Sequence, residues 1–229
     1  MTDDTLGAKG IVIDGSNTIT LDLAGHGITC TDGSAANNRM IKLAGTTTLN
    51  VVNSGETVGM MDVLGANAAV ANTSTSTTLP YGVFRAEAGT TLNVTAANGN
   101  IKLVNGRAWG LNVKLCGATA TLTGVTIESR YGGGIEVTEA DLGTGSVTGS
   151  ATLTGCTFTQ TGYFDHCSTT LSVSGGSALT VNGGTYSGEQ ALYVFSSGGV
   201  RCTSTGSGSC LRTSSSQTFF SICCKASTP

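Results

Sequence analysis

The feature that most constrains this chain is an eight-residue phrase that keeps returning. It stands as Leu21-Asp-Leu-Ala-Gly-His-Gly-Ile28, Ala120-Thr-Leu-Thr-Gly-Val-Thr-Ile127, Ala151-Thr-Leu-Thr-Gly-Cys-Thr-Phe158 and Leu179-Thr-Val-Asn-Gly-Gly-Thr-Tyr186. Two further copies open as Leu49-Asn-Val51 and Leu92-Asn-Val94. The shared grammar is apolar, polar, apolar, polar, glycine, any residue, Thr or Gly, then a large apolar residue. Taking the second apolar position of each copy (Leu23, Val51, Val94, Leu122, Leu153, Val181), the steps are 28, 43, 28, 31 and 28. The long step spans an Ala/Thr/Ser/Asn-rich stretch from Gly65 to Thr78, which reads as an inserted loop at about residues 60–80. A fixed period over most of a chain marks a repeat architecture, in which each unit buries its apolar face on its neighbours.

Each copy also has an alternating segment upstream: Ile11-Val-Ile13, Ile41-Lys-Leu43, Leu111-Asn-Val-Lys-Leu115, Ile135-Glu-Val137, Leu171-Ser-Val173 and Leu192-Tyr-Val194. Alternation with period two means strands with one face in and one out. Each repeat therefore holds about three short strands separated by Gly/Asn/Ser turns, and no stretch has helical period with caps and length. One coil per repeat stacks equivalent residues into columns. Leu23, Val51, Val94, Leu122, Leu153 and Val181 are expected to form one aliphatic column, and Ile28, Ile127, Phe158 and Tyr186 another. Gly25, Gly124, Gly155 and Gly183 are expected at the corners, where positive φ suits glycine. The expected fold class is all-β: a single parallel β-solenoid of about six to seven coils with a period near 28 residues.

Composition narrows the function classes. Eleven Lys+Arg against 14 Asp+Glu give a net charge of −3, and only 11% of 229 residues are charged. Nucleic-acid binders need clustered cations to displace counterions, so no nucleic acid is expected as a partner. Glycine lacks period three and prolines number 2, which excludes collagen. No run approaches the roughly 18 apolar residues of a membrane span. The start, Met1-Thr2-Asp3-Asp4, is acidic and carries no hydrophobic signal segment.

The pattern resembles the right-handed parallel β-helix of the pectin-lyase-like superfamily, and within it the repeat region of large bacterial surface proteins; the resemblance implies a single right-handed parallel β-helix here. Phrases such as "TLDLNGHTI" and "LTVNGGTF" recur there; here they stand as Thr20-Leu-Asp-Leu-Ala-Gly-His-Gly-Ile28 and Leu179-Thr-Val-Asn-Gly-Gly-Thr-Tyr186. The resemblance covers about residues 10–199. It implies an extracellular or cell-surface location, with this chain a monomeric fragment of a larger protein. It also implies polysaccharides or host and cell-surface glycans as partners. Superfamily lyases use clustered acidic residues for calcium with an Arg or Lys base, and superfamily hydrolases use several close Asp residues. The superfold hosts enzymes, adhesins and stalks alike, so activity has to be argued from the site.

Few residues offer such a site. The densest charged patch is Glu128, Arg130, Glu136, Glu139 and Asp141, with Glu136 pointing outward between Ile135 and Val137. Glu139 and Asp141 fall in a turn from Thr138 to Val147, at the one coil that is longer by three residues. A solvated turn explains the patch; a calcium or sugar contact is the functional alternative. The second candidate is Asp165-His166 beside Tyr163 and Phe164, an acid–base pair or a stacking platform for sugar. Neighbours on a strand point to opposite faces, which argues against joint catalysis. His26 is expected on a turn, and Trp109, the only tryptophan, in the core or a cap. No cofactor or metal is expected; calcium has only the resemblance behind it. No Asp/Asp/His or Asp/Arg/Lys set recurs in phase. The expected function is thus a non-catalytic module for structural display, adhesion or glycan binding, with a polysaccharide lyase or glycoside hydrolase as the alternative. A minor alternative is an ice-binding protein, from outward pairs such as Thr121-Leu-Thr123 and Thr152-Leu-Thr154. Asn50, Asn93 and Asn182 and the uneven coil lengths count against it.

The repeat grammar fails beyond about Gly199, so residues 1–199 form the expected β-helix domain and 200–229 an atypical Cys/Ser-rich tail. Four of the eight cysteines (Cys202, Cys210, Cys223, Cys224) fall there. Two readings stay open: a cap stapled by disulfides, or a poorly ordered stretch foreign to the fold, such as a shifted reading frame. Cys30, Cys116, Cys156 and Cys167 lie within the coils without C-x-x-C spacing, and are expected as free structural thiols.

Overall fold

The computed structural model describes residues 4–6, 10–30, 39–63, 82–105, 111–129, 133–140, 146–160, 169–187, 190–195, 199–203, 209–210 and 223–224. Of its strands, β1 to β21 in chain order, the first nineteen fall on three parallel ladders, here faces A, B and C. Face A stacks β2 (Ile11–Ile13), β5 (Ile41–Leu43), β8 (Phe84–Ala86), β11 (Leu111–Cys116), β14 (Gly133–Thr138), β16 (Thr169–Ser174) and β18 (Gln190–Phe195). Face B stacks β3 (Thr18–Asp22), β6 (Thr48–Val52), β9 (Thr91–Thr95), β12 (Thr119–Thr123), the first halves of β15 (Ser150–Gln160) and β17 (Ala178–Ser187), and β19 (Gly199–Thr203). Face C stacks β1 (Asp4–Leu6), β4 (Gly27–Cys30), β7 (Gly59–Val63), β10 (Ile101–Asn105), β13 (Thr126–Ser129) and the second halves of β15 and β17. Every pairing on these ladders is parallel, and each strand bonds to its counterpart one coil away. This is the coiling of a parallel β-helix, with six three-faced coils and a seventh that reaches β19.

Register turns the alternation into columns. On face A, Ile11, Ile41, Phe84, Val113, Ile135, Leu171 and Leu192 align, as do Ile13, Leu43, Ala86, Leu115, Val137, Val173 and Val194. On face C, Ile28, Met61, Leu103, Ile127, Phe158 and Tyr186 align. From the second coil to the sixth these side chains are buried, forming one continuous apolar core down the axis. Burial of such columns is the main favourable term in a solenoid, since each coil covers only its neighbours.

The face-B column differs from expectation in its first member. Leu21, not Leu23, stands opposite Val51, so the steps along Leu21, Val51, Val94, Leu122, Leu153 and Val181 are 30, 43, 28, 31 and 28. The repeated phrase aligns coils by the glycine and the large apolar residue after it, both belonging to the corner and face C. In the first coil that corner is longer: Ala24 and Gly25 both take positive φ, 49° and 82°. Leu23 is drawn into the corner, where it is still buried. The loop behind the 43-residue step lies between β7 and β8, outside the described residues. The ladders cross it unbroken, with Ile41 opposite Phe84 and Val51 opposite Val94. The three-residue excess in the fifth coil sits between β14 and β15, where the Ala140 N–H donates to the Val147 carbonyl at 2.9 Å.

The corner between faces B and C tightens along the rod. In coils four to six it turns on a stacked glycine, Gly124, Gly155 or Gly183, with φ of 66°, 60° and 70°, followed in the sixth by Gly184 at 105°. Strands β15 and β17 therefore run through it without a break. The three positions are equivalent in φ but not in space. A Cβ at Gly155 meets nothing within 4 Å, whereas one at Gly124 would stand 2.5 Å from the Ala96 carbonyl oxygen. Gly155→Ala should cost only the left-handed backbone strain, roughly 1–2 kcal/mol. Gly124→Ala should cost visibly more in thermal denaturation, because backbone must also shift. Equal losses would show that the Ala96 contact relaxes freely.

The ladder also runs past Gly199, the expected domain boundary. Strand β19 pairs with β17, placing Val200 opposite Leu179 and Cys202 opposite Val181. The last step is thus 21 residues, which is why one full period from Val181 overshoots it. Beyond it, the described residues are a short antiparallel pair, β20 (Ser209–Cys210) and β21 (Cys223–Cys224).

Candidate functional site

Alternation sends the second, polar set of each strand outward, so function has to be sought on three outer faces. Face A presents a charged row, Val12, Lys42, Arg85, Lys114, Glu136 and Ser172, one residue per coil. Three cations in register would repel, and carboxylates separate them. Glu87 Oε1 stands 2.7 Å from Arg85 Nε and 3.4 Å from Lys42 Nζ, and Glu136 Oε2 is 2.9 Å from Lys114 Nζ. On face C, Glu128 Oε2 is 2.6 Å from Lys102 Nζ. Half-exposed pairs of this kind contribute little stability, about 0–1 kcal/mol each. Their effect is to neutralise each face locally.

The sequence candidates are not gathered into one groove by the described residues. Glu128 is on face C, Glu136 on face A, and each is engaged with a lysine of the preceding coil. Glu139 lies at the corner after β14 and is only 3% exposed, beneath the turn at Gly175, rather than in a solvated turn. Arg130, Asp141, Tyr163, Asp165 and His166, like Phe164 and Trp109, lie outside the described residues. Among the described residues no three His, Cys, Asp or Glu side chains are placed to hold a metal ion. His26 does sit in a turn, its N–H donating to the Leu23 carbonyl at 2.8 Å.

Face B is chemically different. Its first six strands present eighteen outward positions in three rows, of which eleven are Thr, three Asn and one Ser, with Asp22, Val52 and Ala178 completing the set. Threonine suits an exposed strand because its branched Cβ packs on the pleat. Side chains also bond between coils: Asn93 Nδ2 donates to Asn50 Oδ1 at 2.9 Å, Ser150 Oγ to Thr119 Oγ1 at 3.3 Å, and Asn182 Nδ2 to Thr154 Oγ1 at 3.4 Å. Sequence reasoning singled out some of these threonines but discounted them for uneven coil lengths. Register removes that objection, because the extra residues are absorbed at the corners and never inside face B.

Asp22, the sole charge on this face among the described side chains, is turned onto the next coil. It accepts from Ser54 Oγ at 2.6 Å, from the Ser54 N–H at 2.9 Å and from the Ala24 N–H at 2.9 Å. These bonds, the Ser54 hydroxyl first, hold its carboxyl below the usual aspartate range. A depressed folded-state pKa gives stability that is present above the unfolded value and lost as pH falls through the folded one. The melting-temperature advantage of the native protein over Asp22→Asn should therefore hold at neutral pH, begin to shrink as pH falls below about 3.9, and be gone only in stronger acid, below the depressed folded-state value. An advantage unchanged in acid would mean that the hook acts by shape rather than charge.

Cys30, Cys116 and Cys156 are buried, and none of the three is in a disulfide. Burial pushes the Cys116 and Cys156 thiols up from their ordinary range. The thiolate is the reacting form, so both should alkylate more than about tenfold slower in native than in denatured protein. Peptide mass spectrometry after an iodoacetamide pulse reads this directly; rapid native labelling would place them on a mobile part of the coil.

Comparison with protein-family models, curated proteins and solved structures found no match. Functional argument therefore rests on the surfaces themselves.

Proposed function

We propose that this chain is a non-catalytic β-helix module of a bacterial cell surface, serving structural display, adhesion or glycan binding. The observation that carries this reading is where the carboxylates go. Glycosidic cleavage needs two carboxyls across one bond, roughly 5–10 Å apart, with a proton to give and a water or sugar to receive. Here Glu128 and Glu136 occupy different faces, each with a lysine of its own, and Glu139 is buried. What the coils supply instead is a rigid rod with an undivided apolar core and level outer faces. Rigidity along one axis is what display and surface attachment require.

Incubating the full chain with a panel of plant, host and microbial glycans tests this. Retention without release of unsaturated or new reducing ends is the expected result. Steady release of either product would overturn the reading in favour of a lyase or hydrolase, and Asp165, His166 and the Glu136 patch would become the residues to replace.

A further inference from the structure

We infer that face B is a docking surface for the solid face of an uncharged, insoluble polysaccharide. The inference rests on the binding half of the function proposed above and names its site and partner class. Its first support is charge. Lys42, Arg85 and Lys114 lie on face A and Lys102 on face C, while on the first six strands of face B the only charge is Asp22, which is folded back onto Ser54; Arg201 of β19 falls in register opposite Thr180, at the end of the ladder. A polymer bearing carboxylates or sulfates would lose water across the first six strands of face B and gain no cation there. A neutral hydroxyl-bearing polymer meets Thr, Ser and Asn groups that both donate and accept.

The second support is shape and order. In-register parallel strands repeat at about 4.8 Å between coils and about 6.6 Å between outward neighbours on a strand. Side chains of near-equal length on such a ladder make a level surface. Threonine has few rotamers, and the cross-coil bonds from Asn93, Ser150 and Asn182 hold further groups in place. Little order remains to be imposed on binding. The face measures roughly 300 Å² by these spacings, well under the ~800 Å² per partner of a standard interface. So small and level a footprint grips a single soluble chain poorly. It works on a target that extends beyond it, where a released molecule lands on an equivalent site. Composition also favours this occupant over ice. Asn50, Asn93, Val52 and Ala178 interrupt the threonine rows, which breaks a lattice of one repeated group. They suit a surface that itself mixes hydroxyls, ring oxygens and C–H patches.

The test is retention of the full chain on washed microcrystalline cellulose and on chitin powder, with thermal hysteresis measured in parallel. Thr121→Lys and Thr152→Lys place a charge in the centre of face B without touching the core. Thr159→Lys places the same charge on face C as a control. The expected result is retention of the native chain and of Thr159→Lys on at least one solid, with the two face-B variants losing about tenfold or more in affinity. Circular dichroism and melting temperature verify that all three variants are folded. No native retention on either solid overturns the inference, as does equal retention by all variants. Thermal hysteresis without retention also overturns it, with ice as the occupant. Binding only to soluble members of the glycan panel would sink this inference yet leave the module reading standing. Product release would sink the module reading while retention on the solid still assigned face B.

Discussion

Leu122→Asp should abolish the folded rod at neutral pH. Leu122 is fully buried, with Val94 in the coil before and Leu153 in the coil after it in register. A carboxylate there has no cation and no donor facing it, since the alternating set around it is aliphatic. Burying an unpaired charge costs far more than the ~5–15 kcal/mol stability of an ordinary domain would tolerate, so the coil has to open. Leu122→Ala separates size from polarity: emptying the volume should cost about 2–5 kcal/mol and leave a folded, less stable protein. Thr121→Asp, one residue away and outward, should stay within about 0.5 kcal/mol of the native protein. Because coils contact only their neighbours, opening the fourth should also divide the rod, and limited proteolysis should then cut near residue 122. Native-like melting of Leu122→Asp would refute the column assignment.

Asn53→Ala should be nearly as damaging, although the side chain is small and polar. Asn53 is 7% exposed and sits where the longer corners of the first three coils meet. Its Oδ1 accepts from the Gly25 N–H at 2.6 Å and the Gly55 N–H at 3.2 Å. Its Nδ2 donates to the Thr57 and Asn100 carbonyls, each at 2.8 Å, and Asn100 Nδ2 returns a bond to the Asn53 carbonyl at 2.9 Å. One amide thus satisfies backbone groups in three successive coils. Truncation leaves them without partners, at about 1–3 kcal/mol for each group that stays buried. A loss of roughly 3 kcal/mol or more is expected in equilibrium urea unfolding. Asn53→Asp keeps the size and the acceptor, but sets a second oxygen against two carbonyls. It should also destabilise, whereas preserved stability in both variants would show that water replaces the amide at no cost.

These two side chains also mark the limit of what can be read from sequence. Leu122 belongs to a repeat that is visible as text: alternation places it inward, and its recurrence at intervals of 28 and 31 residues places Val94 and Leu153 beside it. Asn53 belongs to no phrase. Its partners Gly25, Thr57 and Asn100 lie at distances that follow from corner lengths, and those lengths vary from coil to coil. The same variation hid β8, β7 and β10. Their inward members Phe84, Met61 and Leu103 match the face-A and face-C columns, but stand at irregular intervals from the phrases that define the repeat.

The all-β class, the coil count, six of the seven face-A strands and the corner glycines were determined by sequence alone, because period-two alternation and a repeated glycine are local physics. The tertiary structure alone decided the register of the first coil, the continuation of the ladder to Thr203 and the separation of Glu128 from Glu136. It also decided that the outward Thr, Asn and Ser of face B stand in register across six coils. Hydrogen bonding between coils fixes which residues stand side by side, and it does so across loops of any length. Counting along the chain cannot reproduce that.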